Sequence, residues 1–347
     1  MKNFDTRTYN ISDFIEWDAN KQLELSPQFQ RRSVWTERAK SYLIDTVLRG
    51  RPIPKILITQ SLRDGKNIRV VIDGQQRLRA ILGFYSGEFT VSRAHNKQYA
   101  GVLYQDLDAD AKAEFLKYEI GVDVLFDLTY EDTLDVFARL NTYSVKLNPQ
   151  ELLNAQYLGY FKQAAHEMGL RHVRYWITGG VMTEKQVTRM AEAELASDLL
   201  GIIVEGIQSK KQIPNYFRSY DDSENVVSEA KDKFLATMAY IGALYPPEEL
   251  KVTNWSRVHF FNSLFCSVAH CMFGLPGAED IVRMPLTEGN LNLIRATLDE
   301  ISAQYDAVTE DGAESEAALL RFIESSRRAT TDASTRKTRV AFICSRL

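Results

Sequence analysis

The hydrophobic periodicity of the chain changes once, near residue 170. Before that point, short apolar runs typical of buried strands alternate with segments whose apolar residues recur at helical spacing. After it, every long segment shows helical spacing, and loops rich in Gly or Pro separate the segments. The pattern predicts an α+β chain, with a mixed α/β domain over residues 1–168 and an all-α helical domain over residues 169–347.

The composition is typical of a globular protein of two domains. The 347 residues are 45% hydrophobic and 25% charged, which excludes collagenous and disordered classes. Three cysteines are too few for a disulfide framework and fit a reducing compartment. No apolar run approaches the roughly 20 residues of a membrane span, and the N-terminus has no hydrophobic signal core. We therefore expect a cytoplasmic protein with no membrane partner.

The net charge of −4 conceals an uneven distribution of charged residues. Residues 1–105 contain 17 Lys and Arg against 10 Asp and Glu, a net of +7. Residues 106–165 carry a net of −6 and the remainder a net of −5, although residues 325–347 hold six basic side chains and one acid. Such asymmetry indicates surfaces that face a polyanion, and solvated surface charge is the alternative.

Capping and turn residues divide the first part into elements. Ser12 and Thr36 are suited to cap helices, Gly50 to end one, and Thr129 to cap another. The predicted strands are 55–59, 68–72 and 120–126. The predicted helices are 37–49, 74–85, 108–117, 150–165, 183–207, 223–245, 253–273, 287–305, 313–324 and 331–343.

The strongest functional motif is DGQQR, at the junction between a buried strand and a helix. Gly74 allows close backbone approach to a ligand, and the first N–H groups of the helix favour an anion. Arg77 is a planar cation suited to phosphate oxygens, and Gln75 and Gln76 are hydrogen-bond donors. The junction therefore predicts an anion site, with a nucleoside triphosphate as its ligand. The alternative is an ordinary capped helix with a surface arginine.

Two further segments carry cations beside polar or aromatic residues. PQFQRRSVW contains Gln30, Arg31 and Arg32 among aromatic side chains, a combination suited to a base or a phosphate. FARLNTYSVKLNPQE contains Arg139, Asn141 and Lys146 between two predicted helices, within reach of one anionic ligand. For the first segment, the alternative is an ordinary loop whose aromatic side chains pack in the core. For the second, it is an interhelical turn with Asn141 as its C-cap.

The basic C-terminal tail is a candidate nucleic-acid surface, because guanidinium and hydroxyl groups suit phosphate contacts. The alternative is a surface helix without a ligand. The candidate residues are Arg327, Arg328, Arg336, Lys337 and Arg339.

In this order, the three N-terminal segments resemble the N-terminal domain of GmrSD-type restriction endonucleases, the family with the DGQQR motif. The resemblance extends to SspE-type and BrxU-type phage-defence proteins. It covers about residues 10–165, through PQFQRRSVW, SYLIDTVLRGRPIPKILI, VVIDGQQRLRAILGFYSGEF and VFARLNTYSVKLNPQELLNAQYLGYF. It implies a ParB/sulfiredoxin-like fold. In ParB-like proteins the equivalent junction, GERR, cradles a nucleoside triphosphate, which implies that role for Gly74, Gln75, Gln76 and Arg77.

The resemblance also implies an activity: binding or hydrolysis of a nucleoside triphosphate (GTP, ATP or CTP) with Mg²⁺ that licenses cleavage of DNA, which makes the protein an expected NTPase. Asp73 would position Mg²⁺ or polarise a water, and Gln76 and Arg77 would act with it in catalysis. A second ParB motif, ENxxRxxLxPxE, binds phosphate and Mg²⁺, and Asn141 with the run LNPQE matches it loosely. The catalytic cysteine of sulfiredoxin is absent from the junction, which argues against sulfinic-acid chemistry.

Full-length GmrSD-type proteins continue into an HNH nuclease, which needs a metal-binding histidine and a histidine base. Here 258–271 contains His259, Asn262, Cys266, His270 and Cys271 on one apolar helix, which favours core packing over a metal site. We therefore expect that the chain has no HNH nuclease. It would act with a separate nuclease or effector subunit, or its helical domain would be a sensor. The expected partners are DNA and a second copy of the chain in a homodimer. Two alternatives remain: a non-catalytic DNA-binding module, and a Mg²⁺-dependent DNA nickase.

Overall fold

The structure is a computed structural model. It describes residues 4–25, 35–63, 65–126, 136, 148–310 and 314–347, except for the side chain of Glu288. The chain divides into two compact units, Met1–Lys146 and Leu147–Leu347, which we call the N-terminal unit and the helical unit.

A five-stranded mixed sheet organises the N-terminal unit, in the order β1-β5-β3-β4-β2. The β3–β4 and β1–β5 pairs are antiparallel, whereas β5–β3 and β2–β4 are parallel. The strands are β1 (Phe4–Asn10), β2 (Leu23–Glu24), β3 (Ile56–Arg63), β4 (Lys66–Asp73) and β5 (Glu119–Phe126). The predicted strands at β3, β4 and β5 are confirmed. The sequence did not predict β1 and β2, because β1 is mostly exposed and β2 has only two residues.

Four described helices accompany the sheet: α1 (Ile11–Ala19), α2 (Glu37–Leu48), α3 (Gln75–Tyr85) and α4 (Ala109–Lys117). The predicted cap of α2 is confirmed, since the Thr36 hydroxyl accepts a hydrogen bond from the Ala39 N–H. The cap of α1 is Asn10 and not Ser12, and the Asp13 carboxylate accepts the Asn10 N–H at 2.7 Å. Apolar side chains of these helices pack on Ile56, Ile58 and Val122 to form one core. The helix expected after Thr129 lies outside the described residues.

The described residues of the helical unit contain no strand. Its helices are α5 (Pro149–Gln156), α6 (Tyr160–Thr178), α7 (Glu184–Val187), α8 (Ala191–Glu205), α9 (Ile213–Tyr220), α10 (Glu224–Leu244), α11 (Pro247–Leu250), α12 (Val258–Phe273), α13 (Leu291–Glu310), α14 (Ala317–Arg327) and α15 (Ala333–Arg346). The predicted class, a mixed α/β unit followed by a helical one, is confirmed. The segment expected as one helix over 183–207 is two helices, because Met190 adopts a left-handed conformation (φ 63°) between α7 and α8.

The first unit ends at Lys146 and the second begins at Leu147, and residue 168, where the sequence places the domain boundary, lies inside α6. Phe161, Ala164 and Met168 of α6 are buried in the core of the helical unit, as is Trp176 near its end. The helix that contains residue 168 is therefore part of the helical unit from its first turn.

Helix α12 lies in the middle of that core, as its apolar sequence predicts. Asn262, Cys266 and Cys271 are buried. His270 is buried with both ring nitrogens satisfied, since Nε2 lies 3.1 Å from the Ile281 carbonyl and Nδ1 accepts the Leu275 N–H at 3.1 Å. The packing role expected for these residues is confirmed. In the part of the chain that the structure describes, no helix is both long and apolar enough to cross a membrane.

Candidate functional site

The DGQQR junction joins the end of β4 to the start of α3. Val71 and Ile72 are fully buried and anchor the strand, whereas Asp73 is exposed at its end. Gly74 then turns the chain with φ 93° and ψ 9°, a left-handed conformation that glycine adopts without a Cβ penalty. Gly74 has no side chain, so no N-cap side chain accepts the first N–H groups of α3.

A second constraint at Gly74 is the lack of space. A Cβ atom there would lie 2.9 Å from the Ile56 Cγ1 atom and 3.0 Å from the Arg77 Nη2 atom. Real Cβ atoms essentially never come closer than 3.0 Å to another atom, so any other residue would force Ile56 to shift and would press on the Arg77 guanidinium. Glycine therefore both makes the turn and allows Arg77 to lie against the backbone.

Arg77 is held in one orientation by two acceptors. Its Nη2 donates to the Asp73 carboxylate at 2.8 Å and to the Lys55 carbonyl at 3.1 Å, which ties the end of β4 to the entry of β3. The Arg77 side chain is only 15% exposed, while that of Asp73 is 54% exposed. The Nε of Arg77 is buried and has no acceptor among the described residues. The junction therefore presents a positioned guanidinium beside an accessible carboxylate.

The two glutamines of the motif have different surroundings. Gln75 is buried, and its Nε2 donates to the Val71 carbonyl at 2.8 Å, so this amide group supports the junction from inside. Gln76 is half-buried, and its Oε1 accepts the backbone N–H of Trp35 at 3.4 Å. Trp35, the last residue of the PQFQRRSVW motif, is thus hydrogen-bonded to the junction.

A row of side chains crosses the sheet beside the junction. Leu57 of β3 pairs with Asp73 on one side and with Asp123 of β5 on the other. Asp123 accepts hydrogen bonds from the Thr6 hydroxyl at 2.6 Å and from the Lys55 ammonium at 3.3 Å. The contributions of Lys55 and Asp123 were not predicted from the sequence. Asp123 alternates along β5 with the buried Val122 and Val124, and this alternation was the one indication in the sequence that its side chain faces away from the core. Lys55 and Asp123 come near the junction only because of the order of the strands, which the sequence does not reveal.

Six of the predicted site residues lie outside the described residues. They are Gln30, Arg31, Arg32, Arg139, Asn141 and Lys146.

The basic tail requires a correction. Arg336 and Arg339 are buried, at 3% and 0% exposure, and so do not form part of a nucleic-acid surface. Their neighbours Arg327, Arg328 and Lys337 are exposed, and the Lys337 ammonium donates to the Gly277 carbonyl at 2.9 Å. The alternation of Arg336 and Arg339 with exposed residues of α15 places them on its inner face, which composition alone does not reveal.

The segment that carries this junction is similar to a known protein family. Residues 12–158 match the GmrSD restriction endonuclease N-terminal domain. The GmrSD-type segment includes the DGQQR junction and the two other motifs on which the resemblance was based, so the predicted family of this part of the chain is confirmed. That family is described as a domain of restriction endonucleases. No curated protein matches the chain significantly.

Proposed function

We propose that the GmrSD-type segment binds a nucleoside triphosphate at the DGQQR junction and hydrolyses it as part of a DNA-targeting restriction or anti-phage system. The observation that carries the proposal is the pre-positioned Arg77 guanidinium, held beside Gly74 and the uncapped start of α3. Backbone N–H groups, the helix dipole and a fixed cation together favour phosphate oxygens. A ParB-like nucleotide cradle at this position agrees with that arrangement.

Each residue of the junction has a distinct role in the proposal. Arg77, with its buried Nε–H lacking an acceptor, stabilises charge on the phosphates. Gln76 helps to orient the reacting groups, and Gly74 makes the turn and leaves room for the Arg77 guanidinium beside the backbone. The buried Gln75 holds the junction together through Val71. In Gln30, Arg31, Arg32, Arg139, Asn141 and Lys146, the same segment offers further cations and amides for the nucleotide.

Asp73 fits a role in holding Mg²⁺. Only its Oδ2 atom is engaged by Arg77, and more than half of the side chain is accessible. Among the described residues, no group of three or more His, Cys, Asp or Glu side chains is arranged to hold a metal. Mg²⁺ in phosphoryl-transfer sites commonly takes one or two carboxylates and completes its shell with phosphate and water, which matches a single accessible aspartate. When bound, Mg²⁺ would neutralise charge on the phosphates.

The proposal extends to DNA and to a separate nuclease or effector subunit, with a homodimer as the simplest assembly. The exposed Arg327, Arg328 and Lys337 remain available for phosphate contacts in the tail. A system of this kind would couple nucleotide turnover to DNA cleavage by the partner.

Nucleotide binding is tested by calorimetry with Mg²⁺ complexes of GTP, ATP and CTP. Arg77→Gln should weaken binding at least about tenfold, since a charge-assisted hydrogen bond contributes roughly 1.5–3 kcal/mol. Arg79→Gln is the matched control, because it removes the same charge from an exposed position of α3. If a folded Arg77→Gln variant binds every nucleotide as tightly as wild type does, the site assignment is wrong.

Hydrolysis is tested by phosphate release with and without DNA. Asp73→Asn should abolish Mg²⁺-dependent turnover while leaving the nucleotide bound. No release from any nucleotide by wild type would favour the non-catalytic DNA-binding module. Mg²⁺-dependent plasmid nicking that Asp73→Asn removes would favour the nickase.

A further inference from the structure

The helical unit contains a cavity of about 190 Å³ between α8, α12 and the first turns of α15. One part of its wall is apolar and includes Val181, Met182 and Leu195. The other part is polar and includes His259, Asn262 and Arg336. An apolar wall with a few convergent polar groups is the usual make-up of a small-molecule site.

The polar wall contains a buried hydrogen-bond donor that lacks a partner. Arg336 forms two hydrogen bonds with the Asp198 carboxylate, at 2.7 and 2.8 Å, and a third with the Gln208 carbonyl at 3.0 Å. Its Nε atom is buried without an acceptor among the described residues. Because an unsatisfied buried donor is costly, an acceptor that came within reach of the Arg336 Nε would stabilise this arginine.

The charges behind this wall do not balance. Arg339 is fully buried, and its hydrogen bonds go to neutral oxygens, those of the Ser263 hydroxyl and the Ser325 and Thr330 carbonyls. Burial and the nearby Arg336 charge lower the pKa of Arg339 to about 10, so it is still a cation at neutral pH. Among the described residues, Asp198 is thus the one carboxylate hydrogen-bonded to these two buried guanidinium groups, which leaves one positive charge without a hydrogen-bonded counter-charge.

The other charged residues that line the cavity do not reduce this excess of positive charge. Lys210 and Glu194 form an ion pair at 2.8 Å and cancel each other. The Nε2 atom of His259 is buried without a partner among the described residues. Burial, followed by the charges of Arg339 and Arg257, lowers the pKa of His259 to about 4, so its imidazole is neutral at physiological pH. A neutral imidazole adds hydrogen-bonding capacity and no second positive charge.

We propose that this cavity binds a small organic monocarboxylate. Its carboxylate accepts a hydrogen bond from the Arg336 Nε–H and balances the excess charge, and its short apolar body packs against Val181, Met182 and Leu195. The size of the cavity sets the size of the ligand. An enclosed space of about 150 Å³ holds benzene, while sites for drug-sized molecules begin near 300 Å³. The cavity is therefore too small for a nucleoside triphosphate, and its apolar wall disfavours inorganic phosphate.

The test is calorimetry and thermal unfolding of the full chain with sodium butyrate or benzoate, against sodium phosphate and sodium chloride at equal ionic strength. We expect saturable binding of one carboxylate per chain and a rise in the unfolding midpoint, with neither effect from phosphate or chloride. No binding of butyrate or benzoate up to about 10 mM, or tighter binding of phosphate, would overturn the proposal.

Two variants locate the binding. Ala191→Leu fills the cavity from the start of α8 without changing a charge, and should weaken carboxylate binding at least about tenfold. Ala318→Leu is the control, since it makes the same change at an exposed position of α14, away from the cavity. Arg336→Lys retains the charge that faces Asp198 but removes the Nε–H donor, and should also weaken binding. Equal affinities for wild type, Ala191→Leu and Ala318→Leu would place the ligand elsewhere and refute the assignment.

Discussion

Two arginine–aspartate pairs, one in each unit, have almost the same shortest N–O distance and opposite surroundings. Arg77 and Asp73 are 2.8 Å apart at the DGQQR junction, and Arg336 and Asp198 are 2.7 Å apart in the helical unit. Asp73 is 54% exposed, whereas Asp198 is 4% exposed. An accessible carboxylate remains available to a ligand or a metal, while a buried one is required to neutralise its partner. The Arg77–Asp73 pair is thus suited to binding a ligand, whereas the Arg336–Asp198 pair is suited to stabilising the fold.

The largest effect should come from Asp198→Asn. The substitution leaves the Arg336 guanidinium buried without its counter-charge, beside Arg339, and removing one member of a buried ion pair costs about 3–5 kcal/mol. Urea unfolding of the wild type and the variant measures this loss. A cost below about 1 kcal/mol would mean that the buried pair behaves like a surface pair, which would break the comparison.

A smaller effect concerns pH and His259, which lies next to the buried arginines. Because the folded-state pKa is lowered to about 4, the unfolded chain takes up a proton below pH 6.5 that the folded chain does not. Stability is therefore lost as the pH falls from 6.5 to 4, by about 2 kcal/mol at pH 5, and the group contributes nothing above pH 7. Urea unfolding at pH 7 and pH 5 should show a smaller loss in His259→Gln than in wild type. Equal losses would contradict the buried, neutral imidazole.

Gly74→Ala tests the crowding at the junction. The positive φ alone costs an L-residue about 1–2 kcal/mol, and the added Cβ atom would also meet Ile56 and Arg77. Gly87→Ala is the control, since Gly87 has a φ of +75° with open space around its Cα. Chemical denaturation should show a greater loss for Gly74→Ala than for Gly87→Ala. Equal losses would mean that Arg77 does not depend on the close approach.

The smallest effect on stability is expected from Asp73→Asn. Arg77 is mostly buried, but its partner Asp73 is 54% exposed and screened by water, so the ion pair contributes about 1 kcal/mol, and Arg77 keeps its hydrogen bond to the Lys55 carbonyl. Thermal unfolding should therefore be almost unchanged, while the proposed nucleotide turnover should be lost. A destabilisation as large as that of Asp198→Asn would show that Asp73 has a structural role, and the distinction between the two pairs would disappear.

Most of the elements were predictable because their information is local. Helix α3 and strands β3, β4 and β5 follow from hydrophobic spacing and from turn residues such as Gly74. Strand β1 was missed, since its sequence FDTRTYN has a largely exposed pattern and its pairing with β5 is a long-range interaction. At the site, the residues of DGQQR were predicted, but Lys55 and Asp123 were not, because strand order alone brings them to the junction.

The amino-acid sequence was sufficient to identify the strand–glycine–helix junction, the change to a helical unit and the resemblance to the GmrSD-type domain, because these depend on motifs and periodicity along the chain. Which of the charged side chains are buried could be decided only from the fold. Arg336 and Arg339 have the composition of a basic surface, and packing of α15 on α12 places them in the core beside Asp198 and Ser263. A guanidinium group has the same formal charge in either place, and the neighbours that surround it decide whether it holds the protein together or meets a ligand.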